Sequence, residues 1–276
     1  MTSNRDWEGR VGHAWAAEWL RTDRSFGELT QTLLARIAPL AGARILDIGC
    51  GAGELSLAFA QARPDAQVTG LDLSPELLDA ASARGGDRAN LSFVQADASE
   101  WRPDEAPDLL VSRHGVMFFD DPRTAFAHIA GFAAPGANLV FSCFRAPAHN
   151  RWAGEVAQAV APDATQGSPD GYAPGPFGFA DPALVEDILT SAGWRDVSLT
   201  PVDYAYVAGV GKGEAAVEDA LSLLRRIGPA ARALRELPEA ERTAAESRLR
   251  TVLEARREGS QIAWPAAAWI VSARKG

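Results

Sequence analysis

Short apolar runs alternate with longer amphipathic stretches along the chain from residue 43 onward. Runs that are apolar on both faces are typical of parallel strands covered by helices on each side of the sheet. The runs are ARILDIG (43–49), AQVTGLDL (66–73), LSFVQAD (91–97), APDLLVSR (106–113) and ANLVFSCF (137–144). Their alternation with helical stretches predicts an α/β fold with a doubly wound, Rossmann-like sheet.

The stretches between these runs carry helix signals. Helices are predicted over 54–62, 75–84 and 122–133, where a proline opens each of the last two and Ser74 can cap the second. Further along, a helix is predicted near 182–192 and a strand near 197–207. The closing run IAWPAAAWIVSARK predicts a final strand.

The remaining segments suggest covers for this core. The first forty residues suit one or two amphipathic helices, ended by Pro39 and Gly42. Residues 162–182 are rich in Pro and Gly but contain three aromatics, which favours a packed lid over a solvated linker. Residues 213–258 form a charged helical block, broken at GPA and LPEAE, that predicts a helical cap.

These segments divide the chain into four parts. We expect an N-terminal helical lid over 1–40, a ligand-binding core over 41–145 and a substrate lid loop over 146–182. The rest of the core sheet would follow over 183–276, with the helical cap inserted at about 213–258.

Composition favours a small-molecule ligand. The formal net charge is −9 with a pI near 5.0, and no run of Lys or Arg could follow a phosphate backbone, so we expect no nucleic-acid partner. No segment resembles a signal peptide or a membrane span, which predicts a cytoplasmic protein with no membrane partner. Cys50 and Cys143 lack metal or disulfide spacing, and we expect buried, reduced thiols and no metal site.

The stretch ILDIGCGAGEL (45–55) has the glycine turn that follows the first strand in nucleotide-binding sheets. Dinucleotide sites need a third glycine for close helix packing, but this chain has Glu54 there. Asp47 and Glu54 would repel a pyrophosphate, whereas they would tolerate an amino group or a sulfonium. The loop therefore favours an adenosyl ligand with a positive centre.

Acidic residues follow the next two strands as well. Asp72 lies about twenty residues beyond the glycine turn, where a carboxylate can accept from ribose hydroxyls. Asp97 follows the third strand and could accept from an adenine amino group. Each Asp taken singly could be a turn former or a helix cap. Together they favour a ligand site.

The motifs ILDIGCGAGELS, VTGLDLSPELL, FVQADAS, PDLLVSRHGVMFFDDP and FAAPGANLVFSCF resemble, in order and spacing, those of class I S-adenosylmethionine-dependent methyltransferases. GPFGFADPALVEDILTSAGWRDVSL and the block before IAWPAAAWIVSAR are similar to a bacterial small-molecule subgroup, some of whose members are called trans-aconitate methyltransferases. The resemblance implies a seven-stranded sheet whose last strand is antiparallel, with S-adenosyl-L-methionine as cofactor and S-adenosyl-L-homocysteine as product.

The resemblance also implies roles for individual residues. The methionine moiety would lie near Asp47 and the glycine turn, the ribose at Asp72 and Leu73, and the adenine at Asp97 and Ala98. The turn contributes Gly49, Cys50 and Gly51 to this set. Arg113 would lie beside the cofactor, and Trp15 and Arg24 of the leading helices could touch its amino-acid end.

His114 departs from the subgroup, which usually has Phe at this place in SRHG. A His facing the transferred methyl could take a proton from a hydroxyl or amine, because its ordinary pKa lies near working pH. The alternative is that His114 replaces Phe as a packing residue over the cofactor. Many methyl transfers need no base, because positioning an acceptor in line can supply most of the catalysis.

Arg145 and Trp152, after the fifth strand, lie where an acceptor is expected, and an Arg there could hold a carboxylate. The sequence thus predicts an enzyme, a monomer or homodimer, that moves a methyl to a small-molecule acceptor by direct displacement, with oxygen or nitrogen preferred as the acceptor atom. Two alternatives stay open: an NAD-linked oxidoreductase and a non-catalytic S-adenosylmethionine-binding module.

Overall fold

A mixed sheet forms the centre of the protein in the computed structural model, which describes residues 7–163 and 171–276. Its strands are β1 (Arg44–Ile48), β2 (Gln67–Asp72), β3 (Leu91–Gln95), β4 (Leu109–Arg113), β5 (Asn138–Phe144), β6 (Trp194–Val210), β7 (Arg257–Glu258) and β8 (Gln261–Lys275). Their order across the sheet is β3-β2-β1-β4-β5-β8-β6, and β7 pairs with the start of β8. The pairs from β3 to β5 are parallel, whereas β8 is antiparallel to β5 and to β6.

Helices precede, connect and follow these strands. They are α1 (Arg10–Ala17), α2 (Trp19–Ile37), α3 (Glu54–Ala62), α4 (Pro75–Gly85), α5 (Pro122–Phe132), α6 (Arg151–Val160), α7 (Pro182–Ser191), α8 (Glu214–Leu224), α9 (Gly228–Glu236) and α10 (Glu239–Ala255). In the part of the chain described, none of them is long and apolar enough to cross a membrane.

Side-chain caps fix the starts of three of these helices. The Ser74 hydroxyl accepts from the Leu77 N–H at 3.3 Å, which confirms the predicted cap of α4. Asp121 and Asp181 cap α5 and α7 in the same way. Each cap satisfies one of the backbone N–H groups that a helix leaves unpaired at its first turn.

The strands are apolar on both faces because each face packs on helices. Ile45 and Leu46, successive residues of β1, belong to different hydrophobic clusters on opposite sides of the sheet. The side chains of α2 and α3 cover the Ile45 face, and Phe126, Phe141 and neighbours fill the other. The predicted two-sided burial of a parallel sheet is therefore confirmed.

β6 and β8 form a long antiparallel hairpin at one side of the sheet, and α8, α9 and α10 are inserted between them. The breaks predicted at GPA and LPEAE coincide with the starts of α9 and α10. β6 extends beyond the predicted 197–207 because it pairs with β8 from Trp194 opposite Lys275 to Val210 opposite Gln261. Pairing with a distant strand, which the local pattern cannot show, sets its length.

The predicted fold class is confirmed, including the antiparallel last strand. Seven strands form the order across the sheet, as predicted, and the two-residue β7 pairs with β8 beside that order. Within the predicted lid loop, residues 164–170 lie outside the described residues, as do residues 1–6 at the amino end. The lid aromatics pack as expected: Phe179 is fully buried, and the Tyr172 hydroxyl donates to the Met117 carbonyl at 3.1 Å.

Candidate active site

A pocket opens at the edge of the sheet where the parallel strands end, and α1 and α2 cover it. The sequence-predicted site residues that line it are Trp15, Asp47, Gly49, Cys50, Gly51, Asp72, Leu73, Asp97, Ala98, Arg113, His114 and Trp152. Because the carboxyl ends of parallel strands meet at one edge, residues far apart in sequence come together here. Arg24 and Arg145 lie outside the pocket lining.

The glycine turn between β1 and α3 depends on left-handed backbone angles. Gly49, Gly51 and Gly53 have φ values of 64°, 56° and 80°, which only glycine adopts without strain. A Cβ on Gly49 would lie 2.9 Å from the Gly115 Cα, whereas a Cβ on Gly51 would meet no atom within 4 Å. The turn is thus packed against the β4 loop on one side and open to the pocket at Gly51.

Asp47, near the end of β1, is a buried acid with unused hydrogen-bonding capacity. It is 1% exposed, and its Oδ2 accepts from the Ser56 hydroxyl at 2.6 Å, while its Oδ1 has no partner. Burial raises the pKa of Asp47 to about 6, against the lowering effects of Ser56 and Arg113. An orphaned carboxylate oxygen facing a pocket suits a ligand that carries positive charge.

Asp72, the last residue of β2, holds the glycine turn in place. Its Oδ2 accepts from the Gly51 N–H at 2.8 Å and its Oδ1 accepts from the Ser74 N–H at 2.9 Å. Burial raises the pKa of Asp72 above its ordinary value. Each carboxylate oxygen can accept a second hydrogen bond, so Asp72 could still receive ligand hydroxyls.

Asp97 follows β3 and lines the pocket beside Ala98, as the sequence predicts. Its Oδ1 accepts from the Ser99 N–H at 2.8 Å and from the Ser99 hydroxyl at 2.6 Å. Leu73 lines the same region and, with Ala98, presents apolar surface there. This end of the pocket therefore combines small apolar groups with an oriented carboxylate.

Glu54 is not an isolated charge in the glycine loop, which differs from the sequence interpretation. It forms an ion pair with the Arg113 guanidinium, whose Nη1 also donates to the Thr30 hydroxyl at 2.7 Å. Arg113 in turn lies 3.6 Å from the Asp23 carboxylate and over the Phe26 ring. The opposite charges of Glu54 and Arg113 largely offset each other. Asp47 and Asp72 therefore contribute more than Glu54 to the negative electrostatic potential at the ligand site.

The leading helices cover the pocket with tryptophans. Trp7, Trp15 and Trp19 line it, and Trp7 packs on Trp15 with ring centroids 5.8 Å apart. The Arg24 side chain points elsewhere: its Nη2 donates to the Ala208 carbonyl at 2.8 Å and its Nη1 pairs with Asp219 at 2.8 Å. Trp15 thus lines the pocket, and Arg24 ties α2 to β6 and α8.

An aromatic cluster forms the other end of the pocket; its members are Phe26, His114, Phe144, Trp152 and Tyr206. His114 stacks on Phe144 at 4.2 Å with an interplanar angle of 12°, and Trp152 stacks on Tyr206 at 5.0 Å. Phe26 meets both the His114 and Tyr206 rings edge-on. The cluster is continuous, because each ring contacts at least one other.

His114 is held in an unusual conformation within this cluster. It is 8% exposed, has φ of 63°, and neither ring nitrogen has a hydrogen-bond partner. Burial, and next the nearby Arg113 charge, lower the pKa of His114 to about 3. A base role needs a pKa near working pH. The buried ring is instead neutral and a weak base, and both of its nitrogens lack a hydrogen-bond partner.

The two residues predicted for the acceptor side have different surroundings. Trp152 lines the pocket, and its Nε1 donates to the Asn150 Oδ1 at 3.3 Å. Arg145 instead pairs with Asp203 at 3.0 Å and lies over the Trp269 ring. Cys50 also differs from expectation, since it is partly exposed at the pocket while Cys143 is buried.

Sequence reasoning missed several lining residues. Phe144 ends β5 and could have been found by the same strand-end rule as the three acids. Asp23, Tyr206 and Leu224 carried no such signal, because α2, β6 and the inserted helices reach the pocket only through tertiary packing. Phe118 and Phe119, which follow β4, also line the pocket.

The residues at the glycine turn fit an adenosyl sulfonium. The orphaned Asp47 oxygen, the open space at Gly51 and the acidic strand ends suit a cationic ligand with ribose hydroxyls. A pyrophosphate would meet several carboxylates, and Arg113, which lines the pocket, is already paired with Glu54. With the antiparallel β8, this fold and site agree with the predicted class I methyltransferase architecture.

Comparison with known proteins agrees with that class. Residues 45–136 match the family described as Methyltransferase domain. The chain is 41% identical over 108 residues to a trans-aconitate 2-methyltransferase of Methylobacterium radiotolerans, covering 39% of this chain and 40% of that protein. It is 34% identical over 157 residues to a trans-aconitate 2-methyltransferase of Streptomyces coelicolor, covering 51% and 52%. The chain thus spans about half the length of the curated relatives it matches.

Solved structures show the same fold. Phosphoethanolamine N-methyltransferase 2 of Haemonchus contortus, in complex with S-adenosyl-L-methionine, superposes with a TM-score of 0.58 at 18% identity, over 100% of this chain and 60% of that one. The predicted resemblance to a class I methyltransferase domain and the predicted fold class are confirmed.

Proposed function

We propose that this protein transfers a methyl group from S-adenosyl-L-methionine to a small-molecule acceptor. The observation that carries the proposal is one continuous pocket: an acid-lined glycine turn at one end, within the matched domain, and an aromatic cluster at the other. A cofactor and an acceptor can therefore meet beside the ends of β1 and β4. Such proximity is the main requirement of a direct displacement.

Three acids would hold the cofactor. Asp47 would face the charged methionine end, since its Oδ1 is unpartnered and buried. Asp72 would receive the ribose hydroxyls, and Asp97 with Ala98 the adenine. Gly49, Cys50, Gly51, Leu73, Arg113 and Trp15 complete this part of the proposal. Arg24 is not included, because its guanidinium is bound to Asp219 and to the Ala208 carbonyl.

When bound, S-adenosyl-L-methionine supplies an electrophilic methyl: the acceptor lone pair bonds to carbon, and the carbon–sulfur pair stays on sulfur. Oxygen or nitrogen is preferred as the acceptor atom, and its proton leaves to solvent. His114 would accept a hydrogen bond from that O–H or N–H, because its neutral ring lines the pocket and both of its nitrogens lack a partner. Trp152 would pack on the acceptor, and Arg145, held by Asp203, is not included.

Cofactor binding is the first test. Isothermal titration calorimetry should show that S-adenosyl-L-homocysteine binds and that NAD does not. Asp72→Ala should weaken binding by about 1 to 3 kcal/mol, because the ribose hydroxyls lose their acceptor and the glycine turn loses its Gly51 hydrogen bond. The exposed Asp65→Ala removes the same charge and serves as the control.

NAD binding without a response to S-adenosyl-L-homocysteine would replace the proposal with an oxidoreductase. Cofactor binding without methyl transfer to any member of a broad acceptor panel would favour a non-catalytic binding module. Trans-aconitate belongs in that panel, since the curated relatives are named for it. The small-molecule partner, the absence of a nucleic-acid partner, the cytoplasmic location and the monomer or homodimer state remain predictions.

A further inference from the structure

The acceptor end of the pocket is lined mainly by apolar and aromatic side chains from separate parts of the fold. Phe26 comes from α2, Phe144 from the end of β5, Trp152 and Val156 from α6, Tyr206 from β6 and Leu224 from α8. Trp152 and Val156 lie four residues apart and so share one face of α6. Helices and strands from several parts of the fold therefore present apolar side chains to a ligand bound at this end of the pocket.

The charges around the pocket disfavour an anion. Among the described residues that line it, Arg113 is the one arginine or lysine, and its guanidinium is bound to Glu54, Thr30 and Asp23. The other charged side chains of the lining are acids, namely Asp23, Asp47, Glu54, Asp72 and Asp97. A carboxylate placed against the aromatic cluster would lose its water and gain no free cation.

His114 is a polar group at this end of the pocket whose side chain has no hydrogen-bond partner. Both His114 nitrogens are buried and unpartnered, although the ring lies between Phe26 and Phe144 and lines the pocket. A neutral imidazole offers one donor and one acceptor, which suits a hydroxyl or an amine rather than a carboxylate. A buried polar group without a hydrogen-bond partner costs free energy. The pocket would therefore prefer a ligand that supplies the missing hydrogen bond.

We propose that the acceptor is an uncharged, mainly apolar molecule of aromatic type, whose single hydroxyl or amine group hydrogen-bonds to His114. The inference rests on the proposed methyl transfer and specifies its substrate class. A polycarboxylate substrate is disfavoured by this inference. A tricarboxylate would require several unpaired cationic side chains at the place where the pocket has aromatic rings. Aromatic faces on several sides also favour stacking of a planar acceptor.

Matched probes test the inference on the full chain saturated with S-adenosyl-L-homocysteine. 2-Naphthol, 1-naphthylamine and 4-phenylphenol are neutral at pH 7, and 6-hydroxy-2-naphthoate adds one carboxylate to the first of them. Calorimetry should show at least about tenfold tighter binding of 2-naphthol than of 6-hydroxy-2-naphthoate, with trans-aconitate weaker still. With S-adenosyl-L-methionine supplied instead as the methyl donor, mass spectrometry should show more methyl transfer to 2-naphthol than to 6-hydroxy-2-naphthoate, and least to trans-aconitate.

A charge placed in the pocket supplies the matched variant. Ala153 is partly buried on α6 and lines the pocket, so Ala153→Arg should reduce or reverse the preference for 2-naphthol. Gln158→Arg adds the same charge to an exposed position of the same helix and should leave the preference within about twofold. Circular dichroism of both variants checks that α6 is retained.

The outcomes separate this inference from the proposed function. Loss of S-adenosyl-L-homocysteine binding in the unmodified protein would refute methyl transfer itself. If that ligand binds, the inference is overturned when either carboxylate probe binds as tightly as 2-naphthol, or when none of the neutral probes binds.

Discussion

Replacing His114 with Phe tests how the buried ring behaves as the pH falls. The folded protein keeps His114 neutral, with a pKa of about 3, whereas the unfolded chain has the ordinary value near 6.5. Between these values the unfolded state binds one more proton than the folded state, so stability is lost as pH falls below 6.5. From pH 7 to pH 5 the loss is about 2 kcal/mol, at about 1.4 kcal/mol for each unit below 6.5.

His114→Phe removes this term but keeps an aromatic ring between Phe26 and Phe144. Asp47, whose pKa burial raises to about 6, also titrates in this window, but it is present in both proteins and cancels in the comparison. Urea unfolding at pH 7 and pH 5 should therefore show that wild type loses about 2 kcal/mol more than the variant. Equal losses would refute the burial of a neutral, unpartnered ring.

The same variant bears on catalysis. If His114 orients the acceptor, His114→Phe should keep cofactor affinity near wild type and lower turnover, with the acceptor KM also raised. Unchanged turnover from about pH 6 to 9 would leave His114 as a packing residue.

Further predictions concern the packing of α1, α2 and the segment before α7. Gly12→Ala should lower stability and weaken S-adenosyl-L-homocysteine binding by about 1 to 3 kcal/mol, because the new Cβ would lie 2.2 Å from the Ser74 Oγ and force α1 away from α4. Gly27→Ala is the matched control, since a Cβ there would meet no atom within 4 Å. It should stabilise the protein by about 0.5 to 1 kcal/mol in thermal unfolding. Phe179→Ala should cost about 3 to 5 kcal/mol in urea unfolding, since the ring is fully buried; a loss under about 1 kcal/mol would show that the segment is not part of the core.

Much of the cofactor end of the site could be predicted from local sequence. Asp47, Asp72 and Asp97 come at or just after strand ends, and the parallel arrangement brings those ends to one edge. The glycine turn is equally local, because its backbone angles exclude most other residues. Arg113 lines the pocket at the end of β4, but the sequence gives no sign of its pairing with Glu54.

The acceptor end was less predictable because its members come from elements that local patterns do not bring together. Tyr206 lies on a strand whose position depends on pairing with β8, and Leu224 lies on a helix inserted between those strands. Arg145 follows β5 as predicted, yet Asp203 on β6 holds it away from the pocket. Such pairings join residues that are distant in sequence.

The sequence by itself determined the α/β class, the glycine turn and the acids at the strand ends, because strand periodicity and glycine angles act over a few residues. The tertiary structure decided which charges are free and which side chains meet at the acceptor end. It neutralised Glu54 with Arg113 and buried His114 between two rings, which lowers its pKa. Burial and long-range pairing arise only when the chain is packed, and they set the chemistry that this pocket can perform.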